Sequence, residues 1–209
     1  MIWLTDEIIF PDYQFTNKHG IIALGGDLSV ERLIQAYKNG IFPWFSEGDP
    51  IVWYCPHKRM VLYPTELKVS KSMQKIIKKK DFRITENKAF EEVLYNCKAI
   101  DRKDGLGTWI TNDMQQAYLN LHEKGIAKSI EVWLGDQLVG GLYGLEINGV
   151  FCGESMFSKL SNASKLAFIH LVKNNNYKLI DCQVYNSHLA SLGAREVARD
   201  FFLKILKEK

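Results

Sequence analysis

Two dipeptides, Gly135-Asp136 and Asn148-Gly149, do most to limit the folds open to this 209-residue chain. Both are favoured two-residue hairpin turns, because glycine and asparagine accept the positive φ that matches a tight turn to the twist of its strands. They separate three runs rich in β-formers, residues 129–134, 137–147 and 150–156. This stretch reads as an antiparallel meander. A helix over about 162–174, a strand over 178–184, a short helical turn near Leu189 and a terminal helix over about 199–206 follow it.

Upstream the pattern is mixed. Ser29 is placed to cap a helix in which Leu33, Ile34 and Tyr37 recur at helical spacing until Gly40 ends it. The next string, Gly40-Ile41-Phe42-Pro43-Trp44-Phe45, suits a packed loop or a binding surface better than a regular element. Short strands at 51–55 and 60–63 are bounded by Pro50, Pro56 and Pro64, which puts the end of a small N-terminal α/β domain at residue 64 and a second domain over 65–209. Residues 69–80 read as a helix with Met73, Ile76 and Ile77 inward. On its other side Lys71, Lys75, Lys78 and Lys79 fall within roughly 100° at 100° per residue. A strand at 82–85, a helix through Phe90, Val93, Leu94 and Cys97, and a helix capped by Thr111 lead to the meander. The fold class is therefore α/β in the α+β sense: a mixed, largely antiparallel sheet with flanking helices. Its order of elements resembles the GCN5-related acyltransferases, a fold-level analogy that fixes no chemistry.

Composition narrows the function classes. With 46% hydrophobic and 24% charged residues the chain is suited to a folded core rather than to disorder. No run approaches the ~18 apolar residues of a membrane helix, and Asp6 and Glu7 interrupt the basic-then-apolar start of an export signal. The expectation is a cytoplasmic protein without a membrane partner. Four cysteines and five histidines are scattered singly, without the paired spacing of a zinc site. The net charge of +3 decides no partner, so the clustering of the lysines matters more than their number.

Several uncommon strings occur in one order: Gly25-Gly26-Asp27-Leu28-Ser29, Gly40 to Phe45, Gly107-Thr108-Trp109-Ile110-Thr111, Gly153-Glu154-Ser155-Met156-Phe157-Ser158, Asn162-Ala163-Ser164-Lys165 and Leu179-Ile180-Asp181-Cys182-Gln183-Val184. Together they resemble the bacterial leucyl/phenylalanyl-tRNA–protein transferases, over nearly the whole chain. The resemblance implies an aminoacyltransferase. Its reaction moves Leu or Phe, and Met less well, from aminoacyl-tRNA to the α-amine of proteins that begin with Arg or Lys, which marks them for degradation. It also implies an acetyltransferase-like domain behind a small N-terminal one, and no metal or small-molecule cofactor. It assigns Asp181 and Gln183 to the catalytic step, with Gln183 touching the amine.

The chemistry of the residues bears on these roles. An aminoacyl ester is already activated, so the enzyme must mainly bind and orient an amine with a free lone pair. Asp181 and Gln183, two apart on an expected strand, would share one face. Of the two only the carboxylate holds a proton near pH 7, as a base or merely as an orienter. Glu154 is the natural counter-charge for the cationic acceptor residue, or else a surface ion pair. Met156, Phe151, Phe168, Leu142 and Ile180 either line a pocket for the Leu or Phe side chain or are simply core. Trp44 and Trp109 offer stacking platforms for the terminal base of tRNA, although Trp44 could equally staple the domains together. The lysine face can neutralise acceptor-stem phosphates, or be only a solvated helix face.

Two other readings remain. Arg102-Lys103-Asp104-Gly105-Leu106-Gly107 looks like the pyrophosphate loop of acetyl-CoA-dependent N-acetyltransferases but does not follow a clear strand. A non-catalytic adaptor that binds tRNA or protein N-termini would keep the pocket without turnover.

Overall fold

The computed structural model describes residues 1–100 and 110–208; Trp109 and the Arg102 to Gly107 string lie outside the described residues. The first part of the chain forms β1 (Trp3–Leu4), β2 (Ile21–Gly25), α1 (Val30–Lys38), β3 (Phe42–Pro43), β4 (Val52–Tyr54) and β5 (Lys58–Leu62). Then come α2 (Lys71–Lys79), β6 (Arg83–Glu86), α3 (Phe90–Ala99), α4 (Asn112–Glu123), β7 (Ala127–Leu134), β8 (Gln137–Ile147) and β9 (Val150–Ser158). The chain finishes with α5 (Ala163–Asn174), β10 (Leu179–Asp181), α6 (Ser187–Ser191), β11 (Arg195–Ala198) and α7 (Arg199–Lys207).

The meander is present, with both turns of two residues, as the pairs Leu134↔Gln137 and Ile147↔Val150 show. Gly135, Asn148 and Gly149 all have positive φ. It forms the middle of a seven-stranded sheet ordered β11-β5-β10-β9-β8-β7-β6, in which β10 runs parallel to β9 and the other pairs are antiparallel. The mixed, antiparallel-rich α/β architecture is as the sequence implies. The capping residues also do what their types predict: Ser29, Ser70 and Thr111 each accept a hydrogen bond from the backbone N–H three residues on.

Apolar side chains cover both faces of this sheet. One core joins α1, α3, α4 and α7 to Tyr143, Leu145 and Phe157, and the other joins α2 and α5 to Leu142, Phe151 and Ile180. Strand β8 is consequently buried on both sides along most of its length, and its glycines let neighbours approach. A Cβ on Gly144 would collide with the Cys152 carbonyl and the Phe151 ring.

Four sequence expectations change. Strand β5 precedes residue 64 yet pairs with β10 and β11 in the larger sheet, so a cut at 64 would run through that sheet. Four short strands, ordered β1-β2-β4-β3, make the separate N-terminal sheet, and the aromatic string contributes its β3. Ile77, expected inward on α2, is 39% exposed, because a nine-residue helix at the sheet margin buries only Met73 fully. The strand expected over 178–184 stops at Asp181, because Gln183 takes up φ +61°. The same-face relation of Asp181 and Gln183 as strand residues therefore does not exist.

Candidate active site

Strands β9 and β10 pair only from Leu179↔Val150 to Asp181↔Cys152. Beyond that point β9 continues to Ser158 while the other segment turns away, and a cavity of about 730 Å³ opens between Gly153–Ser158 and 181–186. Leu142, Phe151, Met156, Phe168 and Ile180, the five side chains expected to hold an apolar group, all line it. Trp44, Glu154, Asp181 and Gln183 line it too. Trp44 is 44% exposed and tilted against Tyr54 at 5.8 Å between ring centroids.

Glu154 enters the cavity through a fault in the sheet. Tyr143 pairs with Ser155 but Gly144 pairs with Gly153, so Glu154 is the extra residue of a β-bulge. A bulge breaks the alternation of the strand and re-aims one side chain. The Glu154 carboxylate accepts hydrogen bonds from Tyr37 Oη at 2.6 Å, Tyr118 Oη at 2.8 Å and Gln183 Nε2 at 2.8 Å. Burial pushes its pKa up to about 7, although the two tyrosine hydroxyls pull the other way; the Asp181 charge adds to the rise and Arg59 opposes it. This is a shielded carboxylate poised between its charged and neutral forms, not a surface ion pair.

Asp181 is fully buried and held by Arg59 in a fork, Nε to Oδ1 at 2.7 Å and Nη2 to Oδ2 at 2.6 Å. The Arg59 guanidinium lies 4.7 Å from each of the Phe42 and Phe202 ring centroids and donates to the Gly40 carbonyl. Asp181 Oδ1 also accepts from the Gln183 backbone N–H at 2.9 Å. An Asp that bonds the backbone two residues on stabilises a turn, and here it holds Gln183 in the left-handed region. Arg59 thereby fixes Asp181, Asp181 fixes the backbone of Gln183, and the amide of Gln183 reaches Glu154.

Sequence reasoning missed Arg59, and it gave Tyr37 and Tyr118 no place in the site. A buried tyrosine carries a hydroxyl that needs a partner, which was the available signal. It also missed His188, whose Nε2 is buried at the cavity with no hydrogen-bond partner among the described residues. Lys71, Lys75, Lys78 and Lys79 are exposed on α2 and do not line the cavity.

An apolar cavity in a splayed mixed sheet, ending on a carboxylate and an amide, has the makings of an acyl-transfer site, with room for an acyl group and polar atoms to meet a nucleophile. Residues 61–207 match the model of the leucyl/phenylalanyl-tRNA protein transferase family, and 26–57 match the model of that family's N-terminal domain. The chain belongs to this family and is an aminoacyltransferase. It is 58% identical over 212 residues to the leucyl/phenylalanyl-tRNA–protein transferase of Flavobacterium johnsoniae, covering all of both chains. It is 51% identical to the protein of that name from Nitrosospira multiformis, over 99% of this chain and 90% of the other. Among solved structures it is similar at fold level to a conserved protein of unknown function from Bacteroides thetaiotaomicron (TM-score 0.51, 14% identity, 66% of this chain and 55% of that one).

Proposed function

We propose that this enzyme moves a leucyl or phenylalanyl group, and a methionyl group less well, from aminoacyl-tRNA to the α-amine of cytoplasmic proteins that begin with Arg or Lys, so marking them for degradation. The observation that carries this reading is the meeting, in one cavity, of an apolar lining with the Glu154–Gln183 pair. The volume of about 730 Å³ falls within the roughly 300–1,000 Å³ of ligand pockets. Leu142, Phe151, Phe168 and Ile180 are rigid and buried, whereas Met156 is flexible and partly exposed. Such a lining accepts unbranched, leucine-like and aromatic side chains by shape.

Donor geometry orients the nucleophile. Gln183, which lines the cavity, spends an Nε2 hydrogen on Glu154 and keeps its amide oxygen as an acceptor for an N–H of the incoming amine. On Glu154, Oε1 already receives two hydrogen bonds and Oε2 one, so Oε2 keeps a lone pair for one N–H of the acceptor's α-ammonium. Asp181, sealed by Arg59, acts by holding Gln183 rather than by touching the amine. Trp44 at the cavity supplies a face on which the terminal adenine of tRNA stacks, with Trp109 a second candidate, and the α2 lysines meet acceptor-stem phosphates.

The test is transfer from tRNA charged with Leu, Phe, Met or Val to a peptide beginning with Arg, with acetyl-CoA as a competing donor. Leu and Phe transfer above Met, with Val slowest, supports the reading. Acetylation of the peptide, or binding of charged tRNA without any transfer, overturns it.

A further inference from the structure

The oxygens of Tyr37, Tyr118 and Glu154 make three contacts: Tyr37 to Glu154 at 2.6 Å, Tyr118 to Glu154 at 2.8 Å and Tyr37 to Tyr118 at 2.6 Å. Two hydroxyl protons cannot fill three such contacts. With Glu154 ionised, one pair of oxygens faces each other without a hydrogen. One more proton, placed on Oε2, completes a ring in which Oε2–H donates to Tyr118, Tyr118 to Tyr37, and Tyr37 to Oε1, while Gln183 still donates to Oε1.

We propose that Tyr37 and Tyr118 turn Glu154 into the acceptor of the proton that the incoming α-ammonium must lose before it attacks the ester. This rests on the transfer reaction proposed above and adds two residues to it. The acceptor's ammonium gives one proton to Glu154 Oε2 and becomes a neutral amine. Its nitrogen lone pair then forms the C–N bond, the ester C–O bond breaks, and the amine's second proton goes to the leaving ribose oxygen. The products are an amide and a free tRNA 3′ end, and Glu154 returns its proton to water. A guanidinium cannot serve as this donor because it does not lose its proton in proteins, whereas an α-amino group titrates near 7.7–8.0.

The surroundings suit an acceptor of this kind. Burial and the nearby Glu154 charge hold both tyrosines well above the usual phenol range, so they pass a proton along without ionising. The other titratable groups around the carboxylate are Asp181, which disfavours its charge, Arg59, which favours it, the buried neutral thiol of Cys152, and Tyr143, packed edge-on against Tyr118. Glu154 itself titrates at about 7, within about one unit of an α-ammonium.

The experiment is a pH profile of single-turnover transfer to an Arg-starting peptide at saturating charged tRNA. Tyr37→Phe and Tyr118→Phe each open the ring and remove one hydrogen bond to Glu154, so each should displace the rising limb from its wild-type position. Glu154→Gln should lose on the order of 10²-fold at pH 6.5 and much less at pH 9, where the amine is already neutral. Tyrosine variants with the wild-type limb, or a Glu154→Gln deficit that is the same at both pH values, overturn the proposal. If either tyrosine variant fails to fold, the titration of the Glu154 carboxyl stretch, followed by infrared against pH in the remaining one, must move relative to wild type; an unmoved titration overturns the ring. Absence of any transfer by the wild-type enzyme defeats the functional reading instead.

Discussion

At the scale of single residues, the cavity concentrates groups that cost stability. Glu154 has its pKa raised from an ordinary 4.5 to about 7, so the folded state holds a proton that the unfolded chain has released between those values. Stability from this group is therefore lost as pH rises from about 4.5 through 7 and stays lost above it, by roughly 3 kcal/mol. Gln in its place supplies the N–H that the ring lacks. Glu154→Gln should raise the urea midpoint at pH 8, with the gain shrinking toward pH 4.5; an equal or lower midpoint at pH 8 contradicts this. The buried Arg59–Asp181 fork, by contrast, contributes to stability as an intact pair. Asp181→Asn strands the Arg59 charge in a sealed site, a loss of about 3–5 kcal/mol, and replacing the pair together with Met and Leu should recover much of it. A wild-type midpoint for Asp181→Asn would show that the fork contributes nothing. The types of Asp181, Gln183 and Glu154 were legible in the sequence, but their relation was not. A bulge at Glu154 and a left-handed Gln183 both break the period of two on which strand reasoning depends.

Elements with a strong local signal were readable: the two hairpin turns, the capped helices and the α2 lysine face. Strand β11 and the true place of β5 were not, because their pairing is set by partners more than a hundred residues away in sequence. Helix α2 leaves all four lysines in solvent, so its charge is free to meet phosphates. Lys75→Ala with Lys78→Ala should weaken tRNA binding and flatten its log–log salt dependence by about 0.9 per lost duplex contact. An unchanged slope would mark the face as merely solvated. Helix α5 offers Phe168 to the cavity. Phe168→Ala should change the ranking of Phe, Leu and Met donors, with differences of ~1–3 kcal/mol per methylene of fit; equal losses for every donor would mean lost packing alone.

Over the whole molecule, the site exists only because distant parts of the chain converge. Helix α1 brings Tyr37, the aromatic string brings Phe42 and Trp44, and α4 brings Tyr118, all against the splayed strands of the seven-stranded sheet. Arg59 ties these layers together, touching Gly40, the rings of Phe42 and Phe202, and Asp181 at once. The N-terminal segment is thus part of the cavity wall, and by sheet membership the chain divides before β5 rather than at residue 64. No helix among the described residues is long and apolar enough to cross a membrane. The proposed transfer depends above all on Gln183 and Glu154 orienting the acceptor amine against an ester held in the apolar cavity. Its most direct test is the single-turnover rate at pH 7 and saturating Phe-tRNA for folded Gln183→Ala combined with Glu154→Gln. The expected result is a loss on the order of 10²–10⁴-fold with charged-tRNA affinity nearly unchanged; a wild-type rate in that double variant would place the chemistry elsewhere on the chain.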